Sequence, residues 1–327
     1  MLALVLRVCL ALLALPLAAE AQQAARVYRI GILSNTLDTA DGPLFKVFTD
    51  TLRSLGYIEH RNTDIEWRSS EGDTERLPGL AGELVRAKVD VILATALQPA
   101  RAAVGVTKTI PIVFVMAADP VGQRLVGNAA RPGGNMTGLA SFVPQESSDR
   151  ALQLLKAVVP KLSRLAVLTN PANPVQTELL SGPLPAAAQK SKMVLLPLTV
   201  HAPGDLQTAF GAARRDGADA MYVLGDTLTF TYRSLIVDFA ARNRVPALYT
   251  TRGAVELGGL MSYGPQLRDL YRRAATYIDK ILKGSNPGDL PVEQSGKYEL
   301  NVNLKTARTL GLTIPPAIIK QAEQVFE

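Results

Sequence analysis

From Tyr28 onward the chain alternates short apolar runs, each stopped by a polar or Gly/Pro turn, with segments of helical periodicity. Runs that are apolar on both faces and separated by helices require parallel sheets covered on two sides. The first unit, YRIGIL at 28–33, ends at Ser34-Asn35. The segment after it places Leu44, Phe48, Leu52 and Leu55 on one helical face, and Gly56 closes it. Further strands are expected over 64–68, 90–94 and 111–115, with a helix over 74–87. After Gly138 a second series starts: a helix over 145–158, strands over 164–168, 193–196, 218–224 and 246–249, and a helix over 205–215. Two series of this kind imply two sheets, with a boundary near Ala140. The tail completes them: a helix over 266–283 carries Leu267, Leu270, Ala274, Ile278 and Ile281 on one stripe, then come a strand over 298–302 and helices over 305–309 and 315–326.

The N-terminus states where such a fold would work. Arg7 precedes an apolar run over 8–19, broken only by Pro16, and Ala19-Glu20-Ala21 follows. One positive charge, a short greasy segment and a small-x-small triplet make a secretory signal peptide, residues 1–21. The run is shorter than the roughly 20 apolar residues that cross a bilayer, so cleavage near Ala21 is expected rather than a retained anchor. The single cysteine, Cys9, lies inside this segment and not at its end, which excludes lipidation. The mature chain is therefore expected in the periplasm without disulfides, its stability drawn from buried apolar area.

A net charge of +6 raises the question of nucleic acid. Lys and Arg are dispersed, however, with Arg214-Arg215 and Arg272-Arg273 as the densest groups, and no basic stripe exists. No nucleic-acid partner is expected. The two histidines, His60 and His201, sit in loops without a second ligand nearby in sequence, so no metal is expected.

In a parallel sheet, ligands gather outside the carboxyl ends of the strands. Here those ends are Ser34-Asn35, Thr95-Ala96-Leu97, Asp119-Pro120, Thr169-Asn170-Pro171, Gly225-Asp226-Thr227 and Thr250-Thr251-Arg252. Such a lining suits a small polar molecule with a positive group near Asp226 or Asp119. The same residue types also cap the helices that follow strands, satisfying orphan backbone donors. Asp226 stands out because Thr227 and Thr229 could cap in its place. Asp119 is weaker, since Asp-Pro is a turn in its own right. There is no Gly-x-Gly-x-x-Gly after Leu33, no phosphate loop and no Gly-x-Ser-x-Gly. Pro132-Gly133-Gly134-Asn135 precedes a strand and reads as a turn. These absences favour a binder over an enzyme, with no cofactor.

Several segments together resemble the periplasmic substrate-binding proteins of ABC transporters, a family with tryptophan- and phenylalanine-binding members. They are IPIVF at 110–114, DPVG at 119–122, RPGGNMTG at 131–138, PVEQ at 291–294, ELNVNLKTA at 299–307 and LGL at 310–312. The resemblance runs from Arg29 to Phe326. It implies a type I periplasmic-binding-protein fold: two Rossmann-like α/β lobes with parallel sheets, joined by three hinge crossings near 138–142, 262–265 and 291–298. The lobes would be 27–140 plus 264–290 and 141–263 plus 291–327. The resemblance further implies that Asp226 meets a ligand ammonium and that Thr95, Ala96 and Leu97 hold its carboxylate. Two departures stand out: the loop 34–42 carries two acids and no aromatic wall, and Leu97 stands where many relatives have a smaller residue or proline. The expected function is a monomeric solute-binding protein that captures an amino-acid-like ligand through Ser34, Asn35, Thr95, Ala96, Leu97, Asp119, Asn170, Asp226, Thr227 and Thr250, and delivers it to an ABC transporter permease. A periplasmic sensor or an exported enzyme on the same fold are the alternatives.

Overall fold

The computed structural model describes residues 26–35, 42–117, 119–141, 145–294 and 296–327. The expected signal peptide, Cys9 and residues 36–41 of the acid-bearing loop lie outside the described residues, as does Phe142 of the first expected crossing.

The first half forms β1 (Tyr28–Ser34), α1 (Pro43–Ser54), β2 (Thr63–Ser69), α2 (Leu77–Arg86), β3 (Val91–Thr95), α3 (Leu97–Val106), β4 (Ile112–Ala117) and β5 (Met136–Ala140). The second half forms α4 (Gln145–Val158), β6 (Arg164–Thr169), α5 (Pro174–Ser181), α6 (Pro183–Lys190), β7 (Val194–Thr199), α7 (Asp205–Arg215) and β8 (Ala220–Val223). It continues with α8 (Thr227–Thr231), α9 (Arg233–Arg242), β9 (Ala247–Tyr249), α10 (Arg252–Glu256) and β10 (Met261–Pro265). The tail adds α11 (Leu267–Leu282), β11 (Glu293–Gln294), β12 (Tyr298–Asn303), α12 (Leu304–Thr309), α13 (Pro316–Ile319) and β13 (Gln324–Phe326).

Two sheets result. The first has the order β11-β5-β4-β3-β1-β2, and its pairs are all parallel. The second runs β13-β12-β10-β9-β8-β6-β7, parallel except for β10 against β12. The apolar strands explain the layers. Val91 and Leu93 face a core shared with α1 and α11, while Ile92 and Ala94 face a second core under α2 and α3. Likewise Leu165 and Val167 face one side of the second sheet, and Ala166 and Leu168 the other. Alternation along a strand thus feeds two cores from each central strand.

The tail is divided between the sheets. Helix α11 buries Leu267, Leu270, Tyr271, Ala274 and Ile278 on the first. Strand β11 pairs with β5 of the first sheet, and β12 enters the second. One local expectation is corrected. The helix expected over 315–326 covers only Pro316–Ile319; Gln324–Phe326 is a parallel edge strand on β12, entered by the Glu323 amide donating to the Leu300 carbonyl at 2.7 Å. The β-preferring Val325-Phe326 pair takes the open edge that β12 offers. In α1 and at its C-cap, Leu44 and Leu55 pack partly buried against the core that Phe48 and Leu52 enter, and Phe45 joins them.

Backbone meets backbone where β5 pairs with β4 in the first sheet. A side-chain carbon on Gly138 would lie 2.1 Å from the Phe114 carbonyl oxygen, so this strand can approach β4 only as glycine.

Candidate ligand-binding cleft

Strand order reverses between β1 and β3 in the first sheet and between β6 and β8 in the second. Crevices outside the carboxyl ends of strands at such reversals are where α/β sheets bind ligands. The two reversals here share one cleft of about 210 Å³. Drug-sized ligand pockets span roughly 300–1,000 Å³, so this one is cut for a small solute.

Six of the sequence-predicted residues line it together: Thr95, Ala96 and Leu97 from the first lobe, Asp226, Thr227 and Thr250 from the second. The other four do not line it. Ser34 and Asn35 are buried beneath, where their carbonyls accept from the Ser70 and Gly72 amides at 3.0 Å each and the Ser70 hydroxyl bonds Asn35 Oδ1. Asp119 closes its own turn, accepting the Gly122 amide at 2.9 Å. Asn170 stands behind Asp226, donating to its Oδ1 at 3.1 Å.

Asp226 is the N-cap of α8. Its Oδ1 accepts the Leu228 amide at 2.9 Å, and its own amide donates to Thr229 Oγ1 at 3.0 Å. The expectation that Thr227 or Thr229 caps instead is therefore corrected: Thr229 only completes the reciprocal box, because it sits one turn too far along to serve the first amides. Asn173 Nδ2 adds a bond to Asp226 Oδ2 at 2.8 Å. Gln176, itself buried, locks this corner by accepting the Asn170 amide at 2.7 Å and donating to the Gly225 carbonyl at 2.9 Å.

The opposite wall is the start of α3. Its N-cap, Ala96, offers no side-chain cap, so the first amides of the helix open on the cleft beside Leu97 and Gln98. Amides without a partner among the described residues, and the positive end of the helix dipole, suit an anion. Ala96 holds this corner at φ 85°, ψ 177°, and Met116, also in the lining, has φ 64°. Such backbone strain is maintained by surrounding structure and concentrates at ligand clamps.

Six aromatic rings went unread in the sequence: Tyr222, Phe230, Tyr249, Tyr263, Tyr271 and Tyr298 all line the cleft. Tyr263 and Tyr298 come from the antiparallel pair β10 and β12, their ring centroids 5.3 Å apart. The signal was present, since both tyrosines fall in segments expected to be crossings. Burial pushes the Tyr298 hydroxyl up to about 12, and burial among Tyr298 and Tyr263 raises Tyr222 further. These phenols stay protonated at neutral pH and are able to donate. Arg233 packs its guanidinium 4.4 Å from the Phe230 ring centroid and donates to the Phe230 carbonyl at 2.7 Å.

Known proteins share this architecture. A family model described as ABC transporter substrate binding protein matches residues 40–326. A tyrosine-binding protein of Clostridioides difficile (strain R20291) is 27% identical over 267 residues, 82% of this chain and 76% of that protein. The structure of an ABC domain in complex with L-Trp from Streptococcus pneumonia superposes with a TM-score of 0.83 at 25% identity, covering 92% of this chain and all (100%) of that one. A ligand-free, open substrate-binding protein with adhesive properties from Clostridium difficile gives 0.66 at 26% identity, covering 92% and 99%. With two α/β lobes of the type I periplasmic-binding-protein fold and a family match over most of its length, the chain belongs to the substrate-binding proteins of ABC transporters.

Proposed function

We propose that the cleft holds one zwitterionic amino acid with an aromatic side chain. The observation that carries this reading is the facing pair of polar anchors. The Asp226 carboxylate lines one wall and the uncapped start of α3 lines the other, with tyrosines between them. Asp226 takes the ammonium, and the α3 amides with Thr95 take the carboxylate. The ring lies among Tyr222, Tyr263 and Tyr298. The relatives named for tyrosine and found with L-Trp support the same ligand class.

The lobes are 27–140 plus 264–290 and 141–263 plus 291–327, with the short β11 still paired to the first. At nearly equal identity and coverage, the fit to the L-Trp complex exceeds that to the open relative, 0.83 against 0.66. That difference supports lobes standing here as in the ligand-bound relative. A ligand bridging both walls stabilises this arrangement by differential affinity. The protein acts as an exported monomer, residues 1–21 being removed, and presents its closed form to the permease. The ligand leaves unchanged.

Isothermal calorimetry of the purified protein with L-tyrosine, L-tryptophan, L-phenylalanine and the des-amino acid 3-(4-hydroxyphenyl)propionate tests this. Saturable binding of an aromatic amino acid, recovered intact by mass spectrometry, is expected. Equal binding of the des-amino acid would remove the ammonium contact, and chemical alteration of the ligand would make the protein an enzyme.

A further inference from the structure

The Asp226 carboxylate is already mostly occupied. Its Oδ1 accepts two bonds, from Asn170 Nδ2 at 3.1 Å and the Leu228 amide at 2.9 Å. Its Oδ2 accepts one, from Asn173 Nδ2 at 2.8 Å. The Thr229 amide also turns toward this carboxylate in the capping box. Oδ2 takes a single side-chain bond, so the lone-pair position left for a ligand is on Oδ2. All these donors are neutral, and among the described residues no Lys or Arg pairs with Asp226. Its charge is left for a ligand, but most of its acceptor capacity is not.

We infer that Asn170 and Asn173 are positioning residues that make Asp226 a single-bond acceptor, selecting a primary ammonium and refusing a guanidinium in the same place. A guanidinium is recognised best through two parallel N–H bonds to both carboxylate oxygens. Here Oδ1 has no position for the second bond. An ammonium needs only one acceptor per N–H and turns its remaining N–H groups elsewhere. Asn173 serves a second purpose, since its Oδ1 accepts the Val175 amide at 3.1 Å as the N-cap of α5. The start of α5 and the start of α8 are therefore tied through one side chain, which fixes the direction of the free Oδ2 position. Gln176 holds Asn170 in turn through its backbone amide.

This inference rests on the ammonium contact proposed above, and its test separates the two. The ratio of affinities for L-tyrosine and N-amidino-L-tyrosine is measured by calorimetry on the wild-type chain, Asn173→Ser and Val175→Ala. Serine keeps the α5 cap but withdraws the amide donor from Oδ2. Val175→Ala enlarges the same wall without freeing an acceptor. The ratio is expected to favour L-tyrosine strongly in wild type, to fall by about 10-fold or more in Asn173→Ser, and to hold in Val175→Ala. If Asn173→Ser does not fold, Asn170→Ser, which frees Oδ1, is read in the same way. An unchanged ratio with L-tyrosine still preferred over the des-amino acid overturns this inference and leaves the ammonium contact standing. A ratio relaxed equally by Val175→Ala makes the selection one of size, which also overturns it. Equal affinity for L-tyrosine and the des-amino acid, or no binding of either L-tyrosine or L-tryptophan, removes the ammonium contact and this inference with it.

Discussion

Gly264 approaches Thr250 so closely that an added side-chain carbon would sit 1.9 Å from the Thr250 carbonyl oxygen. The crossing strand β10 thus leans directly on the strand-end loop that lines the cleft. The clash is with backbone, so no rotamer change relieves it. Gly264→Ala is expected to destabilise the fold by about 1–3 kcal/mol, the usual cost of overpacking. It should also weaken ligand binding, because Thr250 must move for the methyl to fit. Urea unfolding and calorimetry read the two effects; a wild-type melt and affinity would show that the crossing has slack.

Asp226 does two things, and substitutions separate them. Asp226→Ala removes both cap and charge, so it is expected to lose about 0.5–2 kcal/mol of stability. Binding of the aromatic amino acid should weaken by about 1.5–3 kcal/mol, the scale of a charged hydrogen bond. Asp226→Ser keeps an acceptor for the Leu228 amide and loses the charge together with the oxygen that Asn173 meets. It should melt closer to wild type than the alanine variant while binding as poorly. Undiminished binding by Asp226→Ser would reduce Asp226 to a helix cap.

That duality marks how far the residues alone could be read. The sheets were legible because β3, β4 and β6 are apolar on both faces, which only a doubly covered sheet accommodates. Capping and ligand contact draw on the same side chains at the same strand ends, so sequence offered them as alternatives for Asp226, and the structure shows a cap that also faces the cleft. Asn173 was invisible as a partner of Asp226, since the two are 53 residues apart. Tyr263 and Tyr298 meet only through the antiparallel register of β10 and β12, a long-range pairing that local periodicity does not encode. The edge strand at Gln324–Phe326 was read as helix because three apolar-rich residues carry no period of their own.

Ala96 occupies a backbone region, φ 85° and ψ 177°, that is essentially reserved for glycine. Holding a non-glycine residue there costs about 1–3 kcal/mol. Ala96→Gly removes that strain and gives back about 0.4–1 kcal/mol through the freer unfolded chain. The net expectation is a more stable protein by about 1 kcal/mol, with ligand affinity kept, since glycine retains the backbone that the proposed carboxylate contact uses. Denaturant midpoints at matched m-values check this. A loss of stability, the normal result of alanine-to-glycine replacement, would mean that the corner is relaxed.

Glu299 lies across from Gly264 in the β10–β12 pair, partly buried. Burial raises its pKa above the ordinary glutamate value. The Asn301 amide at 3.3 Å and the charges of Arg252 and Arg268 pull it down, while Glu323 pushes it up. A raised value means that the folded chain holds this proton more tightly than the unfolded one. The stability so gained is complete below the unfolded value, about 4.3, and is lost as pH rises through the folded value. At neutral pH the ionised side chain is therefore a net burden on the hinge strands. Glu299→Gln cannot ionise and keeps an oxygen for Asn301, so it should melt above wild type near neutral pH. The advantage should shrink steadily as the pH falls toward the ordinary glutamate range, where wild type regains its proton. Melting temperatures of the two proteins across that range decide the matter: parallel curves would mean that Arg252 and Arg268 already offset the burial of this carboxylate.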